Sequence, residues 1–334
     1  MRIWVWFSTA ALCISLLFCS CKKDNNPISD SIVAEPVFKV VFVANNDLCI
    51  IDSDGSNYQA FASGRVTVRD ADLSPDCSKI VYAGVDTTYQ QIFLIDLNTR
   101  KTTNLTNDNV FHEMPKFSPD GKSIIYLTAQ GWLSNIVRRN LETGEFIKLT
   151  EGLNCYSPSF SPSGSQIIFW LNNGGDSVGI VTMNSDGKNK KLIAGSGYSP
   201  MFFPDGGKIL YQYPTSAHDE GLFSINIDGT RKKFLTNIPW QTKPNISPDG
   251  SKIVLSNFMN NFDIFMMDSD GNNVIHLTKD TAAEYQPSFS PNGNSICFIS
   301  FDTSSTFSLE FMKKDGSDRR CIFRSHGSIY DPIH

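Results

Sequence analysis

Short apolar runs follow one another along most of the chain, and turns rich in Pro, Asp, Gly or Ser separate them. Runs such as Ser123–Leu127 and Lys252–Leu255 contain β-branched and aromatic residues, which favour extended strands. A second run comes next, for example Ile92–Asp96 or Ile264–Asp268, and an Asp-Gly pair often follows it. Strands separated by such turns predict antiparallel hairpins in series.

A Ser-Pro-Asp-Gly type motif recurs at nearly fixed spacing. Its prolines are Pro75, Pro119, Pro162, Pro204, Pro248 and Pro291, and the intervals between them are 44, 43, 42, 44 and 43 residues. When the short strand before each motif is included, every unit contains four strands. Four strands at a period in the low forties are typical of a β-propeller blade.

The two ends of the repeat region predict how the ring closes. Residues 37–61 supply the last three strands of a unit without its first strand, whereas Tyr330–His334 echoes the first strand at Tyr285–Phe289. We expect the C-terminal strand to pair with the N-terminal three, which removes two open sheet edges. The prediction is an all-β, seven-bladed propeller over residues 37–334, with four antiparallel strands in each blade.

The repeat resembles that of the TolB-type, WD40-like propeller family. Residues 115–126 read Pro-x-Phe-Ser-Pro-Asp-Gly-Lys-x-Ile-x-Tyr, and the resemblance extends over essentially all of residues 37–334. TolB itself has an α/β domain ahead of a six-bladed propeller, and we expect neither feature here. The resemblance therefore implies a fold and leaves the function open, because propellers serve many activities.

The N-terminal segment is typical of an export signal. Arg2 precedes an almost entirely apolar stretch, Ile3–Phe18, which runs into Cys19-Ser20-Cys21. The Ser20-Cys21 junction resembles a bacterial lipobox, in which the cysteine thiol is acylated and becomes the new N-terminus. We predict a signal peptide over residues 1–20, lipidation at Cys21 and a flexible polar tether over residues 21–36.

The residues after Cys21 bear on the location. The Lys-Lys-Asp-Asn-Asn tract at residues 22–26 resembles tethers of Bacteroidota lipoproteins. It implies an exported protein with a lipid anchor in the outer membrane, on the periplasmic face or the cell surface. An uncleaved membrane anchor is the alternative, although the apolar stretch is short for a span.

Composition and motifs exclude several functions. The net charge of −5 disfavours nucleic acid as a partner, because phosphate binding requires a clustered basic surface. Peptidases that use a related propeller need a downstream hydrolase domain with a Gly-x-Ser-x-Gly elbow, and we expect no such domain and no catalytic residue of that kind here. No cofactor motif is present. The Asp-x-Asp-Gly turns lack the full calcium-loop pattern, so we interpret them as hairpin turns.

Histidines and cysteines are scattered along the chain. The five histidines are His112, His218, His276, His326 and His334, and no two have the spacing of metal ligands, so we predict no metal site. A related propeller in pectate-fragment lyases uses a histidine-rich metal site in the channel, and this remains an alternative for His112, His326 and His334. We interpret Cys49, Cys77, Cys155, Cys297 and Cys321 as buried free thiols.

One set of residues shares a position two residues before the first-strand proline, or its equivalent, in each blade. Its members are Arg69, Glu113, Tyr156, Tyr198, Thr242, Tyr285 and Tyr330, and Phe111 and Trp240 lie just upstream. First strands line the channel of a propeller, so these residues are expected to surround one mouth. Such a ring can stack on sugars or bind a peptide. The alternative is that the tyrosines fill the wedges between blades.

These observations favour a non-enzymatic binding scaffold in the cell envelope. One face of the propeller would bind a protein partner or a glycan, and the lipid would hold the protein at the membrane. The alternatives are a polysaccharide lyase or hydrolase with its site at the central channel, and a purely structural envelope protein.

Overall fold

The computed structural model describes residues 17–20, 36–44, 47–61, 67–85, 88–174, 178–214, 219–239, 243–258, 262–302, 306–325 and 329–330. These ranges contain β-strands and no helix, so none of them holds a helix able to cross a membrane. The first strands in chain order are β1 (Leu17–Ser20), β2 (Phe38–Ala44), β3 (Asp47–Asp52), β4 (Gln59–Phe61), β5 (Thr67–Leu73), β6 (Lys79–Val85), β7 (Gln90–Asp96), β8 (Thr102–Asn104), β9 (Phe111–Phe117), β10 (Ser123–Gln130), β11 (Leu133–Asn140), β12 (Phe146–Lys148), β13 (Cys155–Phe160), β14 (Gln166–Asn172) and β15 (Val178–Asn184).

The second half of the chain continues the same series. Its strands are β16 (Lys191–Ala194), β17 (Tyr198–Phe202), β18 (Lys208–Pro214), β19 (Asp219–Asn226), β20 (Lys233–Pro239), β21 (Asn245–Ile246), β22 (Lys252–Phe258), β23 (Phe262–Asp268), β24 (Ile275–His276), β25 (Ala283–Phe289), β26 (Ser295–Phe301), β27 (Phe307–Lys313), β28 (Arg320–Ser325) and β29 (Ile329–Tyr330).

The strands form seven antiparallel sheets, which are the blades of a propeller. Blades 2 to 7 are β5–β8, β9–β12, β13–β16, β17–β20, β21–β24 and β25–β28, each with its strands in sequential order. Blade 1 contains β2, β3 and β4, and β29 pairs with β2 through Tyr330 opposite Val43. The segment β1 also pairs with β2, from Leu17 opposite Val41 to Ser20 opposite Phe38. The predicted seven-bladed fold and its closure by the C-terminal strand are therefore confirmed.

One apolar cluster fills the wedge between each pair of neighbouring blades. Blades 1 and 2, for example, enclose Val41 and Ile80, whereas blades 7 and 1 enclose Phe42 and Leu309. The other five wedges are filled in the same way. Because both faces of the central strands are buried, these strands read as continuous apolar runs, and their burial supplies the main stabilisation of the ring.

The Ser-Pro-Asp-Gly motif forms the turn from the first to the second strand of a blade. In blade 3 the Ser118 hydroxyl donates to Asp120 and accepts a hydrogen bond from the Ser123 backbone N–H at 3.0 Å. Gly121 has a φ of 69°, and a Cβ there would lie 3.6 Å from the Pro75 ring of the preceding blade. The turns therefore contact one another around the ring. We call the face that carries them the lower face.

A Leu-Thr pair follows the outer strand in several blades, for example Leu149-Thr150, and its threonine meets another backbone requirement. The hydroxyls of Thr106, Thr150 and Thr278 accept hydrogen bonds from the backbone N–H groups of Ile92, Ile136 and Ile264. Each of these isoleucines lies on the third strand of its blade, next to the short outer strand. The threonine thus satisfies a donor beyond the end of the outer-strand ladder.

The cysteines differ in part from the expectation of free thiols. Cys49, Cys155 and Cys297 are free and buried, as predicted. Cys321 is free but exposed, because it lies on the outer strand β28. Cys77 is disulfide-bonded, so the interpretation as a free thiol is wrong for this residue. It lies in a turn at the lower face, where a side chain can reach a segment outside its own blade.

Candidate functional site

The upper face lies opposite the Ser-Pro-Asp-Gly turns. Because strands alternate in direction, it carries the starts of the innermost strands and the hairpins between second and third strands. The predicted mouth residues occupy one register position there. Arg69 pairs with Ala83, Glu113 with Leu127, Tyr156 with Trp170, Tyr198 with Gln212, Tyr285 with Ile299 and Tyr330 with Val43.

A β-bulge follows this position in five blades. The register of the innermost strand shifts directly after it in blades 2, 3, 4, 5 and 7. The next residues, Asp70, Met114, Ser157, Ser199 and Gln286, all have a positive φ, between 24° and 55°. Such a backbone costs about 1–2 kcal/mol for a residue other than glycine. Repeated strain of this kind, together with a bulge that re-aims side chains, is common next to binding sites.

Three aromatic rings form a continuous tier across blades 4 and 5. The Tyr156 and Trp170 ring centroids are 4.8 Å apart, and those of Trp170 and Tyr198 are 5.8 Å apart. The Trp170 Nε1–H is buried and has no hydrogen-bond acceptor among the described residues. A buried indole N–H normally has an acceptor, and the Trp170 ring also packs against the apolar cluster between blades 4 and 5.

Exposed aromatic residues extend this surface over blades 2 and 3. Phe111 is 47% exposed and meets Tyr89 edge to face, with ring centroids 5.4 Å apart. Trp132 follows Gly131 at the tip of the β10–β11 hairpin and is 95% exposed. Because Ala129 pairs with Phe111, this hairpin tip lies beyond Phe111 on the same face. Large exposed aromatics are frequent anchors of protein interfaces.

The structure describes some of the predicted mouth residues fully and others only in part. Four of them are half-buried on their innermost strands: Glu113, Tyr156, Tyr198 and Tyr285. The Tyr285 ring is tilted by 40° against the Phe262 ring, with centroids 5.0 Å apart. The strand positions of Arg69 and Tyr330 are described, but their side chains are not. Trp240 and Thr242 lie outside the described residues. Tyr156 and Tyr198 come together only through Trp170, so both the packing and the binding interpretation of the ring stay open.

Sequence reasoning missed Tyr89, Trp132 and Trp170. Hairpin pairing of the Tyr156 strand with the next apolar run would have placed Trp170 opposite Tyr156. The Gly131-Trp132 pair between two predicted strands was a further signal, because a tryptophan at a hairpin tip has no strand partner to cover it. Tyr89 carries no such signal, since its contact with Phe111 joins two blades.

The residue before the mouth position is buried in each described blade but differs in chemistry. In blade 3 it is His112, whose Nε2 lies 2.8 Å from Asp108 and whose pKa is lowered by burial, although Asp108 opposes this shift. In blade 7 it is Glu284, which is fully buried. Burial, assisted by Asp280, raises the pKa of Glu284 to about 7, and Arg319 acts against this rise.

Arg319 is the centre of an ion network around Glu284. Its guanidinium lies 2.6 Å from Asp280 and 3.1 Å from Glu284, contacts Glu310 and covers the Phe298 ring. These contacts hold the pKa of Arg319 above its usual range in spite of burial. The network fills the upper part of blade 7 and joins it to the loop that enters the blade.

The histidines bear on the alternative of an enzyme. His276 lies 2.7 Å from Asp263 and stacks on Phe265, and His112 pairs with Asp108. Within the described ranges no three His, Cys, Asp or Glu side chains converge as a metal site would require. His218, His326 and His334 lie outside those ranges.

A pocket that sequence reasoning did not predict opens at the lower face. It has a volume of about 320 Å³ and is lined by the ends of the innermost strands of blades 2 to 5 and by the Ser-Pro turns of blades 2 to 4. Its charged pair is Lys116 and Asp72, 3.4 Å apart, and Asp72 also accepts the Phe117 backbone N–H at 2.8 Å. Burial raises the pKa of Asp72, although Lys116 and this N–H act against the rise. The pair therefore joins blades 2 and 3.

Comparison with solved structures supports the same fold. An oligogalacturonate lyase in complex with manganese is 18% identical, with a TM-score of 0.66, over 83% of this chain and 85% of that one. TolB from Acinetobacter baumannii is 20% identical, with a TM-score of 0.55, over 89% of this chain and 78% of that one. At such identities the likeness shows the fold alone.

Sequence comparison places the chain in a family. The Tol-Pal system protein TolB of Francisella tularensis subsp. mediasiatica (strain FSC147) is 27% identical over 285 residues, which is 81% of this chain and 54% of that protein. The chain thus spans about half the length of the curated relatives it matches. The family described as TolB beta propeller domain matches residues 114–334, more than half of the chain. The chain therefore belongs to the TolB beta propeller domain family.

Proposed function

We propose that this chain is an envelope lipoprotein that binds a protein partner through the upper face of its propeller. The observation that carries the proposal is the aromatic surface on that face, from the Tyr156–Trp170–Tyr198 tier to the exposed Phe111 and Trp132. Relatives named as Tol-Pal system proteins support a protein partner in the envelope. The lyase alternative lacks a comparable observation, since no three His, Cys, Asp or Glu side chains of the described residues converge as a metal site would require.

The mechanism is recognition by a rigid surface. Stacked rings present a large apolar area at little cost in side-chain entropy, since Tyr and Trp have few rotatable bonds. The bulges beside Tyr156 and Tyr198 set the direction of these side chains on their innermost strands.

Location forms the second part of the proposal. A signal peptide over residues 1–20, lipidation at Cys21, and the polar tether over residues 21–36 would place the propeller at the outer membrane. Confinement there raises the effective concentration of a partner in the same compartment. A Cys21→Ala variant should lose labelling by a palmitate analogue and leave the membrane fraction. Unchanged labelling of this variant would contradict lipidation at Cys21.

In-cell crosslinking tests the upper face. The tagged protein is crosslinked and its partners are identified by mass spectrometry, and the test variant is Phe111→Ala/Trp132→Ala. Its matched control is Phe146→Ala/Ile147→Ala, which removes two exposed apolar side chains from the outer strand β12. We expect one envelope protein to be lost with the test variant and kept with the control.

Two other results would overturn the proposal of a protein partner. Equal loss with both variants would mean that exposed apolar area acts non-specifically. If correctly anchored protein captures no partner, the same two variants would be compared on a glycan panel with and without divalent metal, which separates the glycan and lyase alternatives.

A further inference from the structure

The hairpins between the third and fourth strands lie at the outer rim of the lower face, because successive strands run in opposite directions. In blades 4 and 5 these hairpins lead into segments 188–192 and 231–234, which we call the cationic rim. Its six cations are all exposed: Lys188, Lys190, Lys191, Arg231, Lys232 and Lys233. Leu192 and Phe234 follow them and are 51% and 48% exposed. The rim thus combines positive charge with accessible apolar surface.

The two segments of the cationic rim are adjacent. Lys191 lies on the outer strand of blade 4, and its Nζ donates to the Asp228 backbone carbonyl in the hairpin of blade 5 at 3.0 Å. Leu192 and Phe234 occupy equivalent positions, since the register of each outer strand shifts directly after them. The rim therefore forms one surface that two blades share.

The cationic rim differs in charge from the rest of the chain. The two hairpins, residues 184–192 and 226–234, contain its six cations and only two acidic residues, Asp186 and Asp228. Their net charge is therefore +4, whereas that of the whole chain is −5. The turns between the first and second strands of these blades add Asp205 and Lys208, which cancel each other. Such a local excess of positive charge favours an anionic partner.

Acidic neighbours do not neutralise the rim. Lys188 lies 3.7 Å from Asp186, and Lys233 lies 3.9 Å from Asp270. All four side chains are at least half exposed. Exposed pairs of this kind contribute little, so an anionic partner can replace the aspartates at small cost.

Blade 5 shows how charge and apolar surface are held together. The Phe234 ring meets the Phe223 ring edge to face, with centroids 5.3 Å apart, and Lys232 Nζ lies 4.8 Å from the Phe223 centroid. The ammonium group is thus held beside an exposed aromatic ring. A bilayer interface matches this arrangement, because it offers phosphates and hydrocarbon at neighbouring depths.

Protection of an open sheet edge does not explain the rim. Every blade has an outer strand, and charged side chains such as lysine prevent pairing at an open edge. The equivalent hairpins of blades 1 and 6, residues 52–59 and 268–275, nevertheless contain no cation. In blade 7, Arg319 belongs to the buried ion network and Arg320 donates to the Ser53 carbonyl at 3.3 Å. Edge protection by itself would not concentrate cations in two neighbouring blades.

We propose that the cationic rim is a docking surface for an anionic lipid bilayer. Its cations attract lipid phosphates, and its apolar side chains enter the boundary between headgroups and acyl chains. The contact depends only on residues of blades 4 and 5, and it does not require the lipid proposed at Cys21. The chain also enters blade 1 at the lower face, where the Phe38 carbonyl accepts the Ser53 backbone N–H at 2.7 Å. A tether ahead of Phe38 therefore starts from the face that carries the rim, and the upper face stays clear for a partner.

Lysine acetylation at low conversion, followed by mass spectrometry, measures this contact. The full chain is labelled alone, with phosphatidylcholine vesicles, and with phosphatidylcholine vesicles that contain about 30% phosphatidylglycerol. We expect the labelling of Lys190 and Lys191 to fall at least about threefold with the anionic vesicles only, and salt at about 0.5 M to restore it. Lys101, an exposed lysine of blade 2, is the internal reference and should not change. Equal labelling of the rim with both kinds of vesicle would overturn the proposal.

A charge variant shows whether the rim itself makes the contact. Lys188→Gln/Arg231→Gln/Lys233→Gln removes three exposed cations and keeps Lys190 and Lys191 as reporters. Their labelling should become the same with both kinds of vesicle, because the net charge of the two hairpins falls from +4 to +1. Protection that persists in this variant would mean that another surface contacts the bilayer, which would also overturn the proposal.

The matched control changes the net charge of the chain by the same amount. Lys122→Gln/Lys279→Gln/Lys314→Gln removes three exposed lysines from other parts of the ring. This variant should protect Lys190 and Lys191 as well as the wild-type chain does. Loss of protection would show that overall charge, and not the rim, decides the contact.

A second pair of variants tests the apolar part of the rim. Leu192→Ala/Phe234→Ala should lose part of the protection by anionic vesicles. Phe146→Ala/Ile147→Ala removes two equally exposed apolar side chains from blade 3 and should keep it. Equal protection in both variants would reduce the rim to a purely electrostatic contact and contradict insertion of its side chains.

Intact mass separates this proposal from the lipid anchor. A chain without lipid at Cys21 whose rim is protected would overturn only the anchor, whereas a lipidated chain whose rim is labelled equally on both vesicles would overturn only the docking surface. If vesicles give no protection and crosslinking captures an acidic protein that the charge variant loses, the rim is a protein interface instead.

Discussion

The lower ends of the innermost strands repeat one turn structure, whereas the residues at their upper ends differ from blade to blade. At the lower face, the turns of blades 2, 3, 6 and 7 use the same hydrogen bonds, in which a serine hydroxyl holds both an Asp or Asn side chain and a backbone N–H. The serines are Ser74, Ser118, Ser247 and Ser290. At the upper face, the buried residue before the mouth position is Val68, His112, Cys155, Gly197 or Glu284.

The difference arises from what each site must satisfy. A turn leaves the same backbone groups without strand partners in every blade, so one local solution serves repeatedly. The upper position faces a different neighbour in each blade, and the residue is set by that neighbour. Gly197 illustrates this, because a Cβ there would lie 2.6 Å from the Tyr211 ring. Substitutions at the upper position should therefore differ in cost, whereas those in the turns should resemble one another.

The largest effect is expected at the ion network of blade 7. At a pH above 7, where Glu284 is ionised, Arg319→Ala would leave its fully buried carboxylate without the guanidinium partner and should lower the free energy of unfolding by about 3–5 kcal/mol. Denaturant titration measures this change. Lys188→Ala, which removes an exposed pair with Asp186, is the control and should change it by less than about 1 kcal/mol. A similar loss in the free energy of unfolding for both variants would mean that the Arg319 network does not act as a buried unit.

A smaller effect is expected at Gly197. Gly197→Ala places a methyl group 2.6 Å from the Tyr211 ring and 2.9 Å from the Gln212 carbonyl, at a φ of 115°, and should cost about 2–4 kcal/mol. Gly195→Ala is the matched control, since nothing lies within 4 Å of a Cβ there. Thermal unfolding of both variants provides the measurement, and equal stability would show that the Tyr211 ring moves away freely.

Substitutions in the turns are expected to lower the free energy of unfolding by similar, intermediate amounts. Ser118→Ala leaves the Ser123 backbone N–H without its acceptor and should lower the free energy of unfolding by about 1–3 kcal/mol. Ser247→Ala should have the same effect within about 0.5 kcal/mol, because its hydroxyl accepts the Lys252 N–H in the same way. Widely different losses in the free energy of unfolding for these two variants would contradict the view that the turns share one structure.

The pH dependence of stability is expected to have opposite signs at the two ends. Glu284 binds its proton more tightly in the folded state, with a pKa of about 7 against an ordinary value of 4.5, so its contribution to stability is lost as the pH rises through 7. Hydrogen bonds from Ser74 and Ser247 lower the pKa values of Asp76 and Asp249 to about 2, so their contribution is lost as the pH falls from about 4 towards 2.

Thermal unfolding across the pH range checks both signs. Glu284→Gln should flatten the decline between pH 5 and 7 without altering the acid limb. Asp76→Asn/Asp249→Asn should do the reverse. If the stability of Glu284→Gln still declines near neutral pH, the decline arises from another titrating group.

The sequence by itself predicted the blades, their number and the closure of blade 1. Each blade depends on local periodicity and turn chemistry, and short stretches of consecutive residues such as Ser118–Ser123 determine both. The pairing of Tyr330 with Val43 also followed, because a first strand without its blade could have only one place.

Contacts between blades were decided by the tertiary structure alone. The Tyr156–Trp170–Tyr198 tier, the Tyr89–Phe111 pair and the Asp72–Lys116 bridge join blades or residues far apart in sequence, and periodicity says nothing about which rings meet. The disulfide bond of Cys77 and the pairing of Leu17–Ser20 with β2 have the same origin. Such contacts depend on where the ring brings distant segments together, a constraint that no local pattern carries.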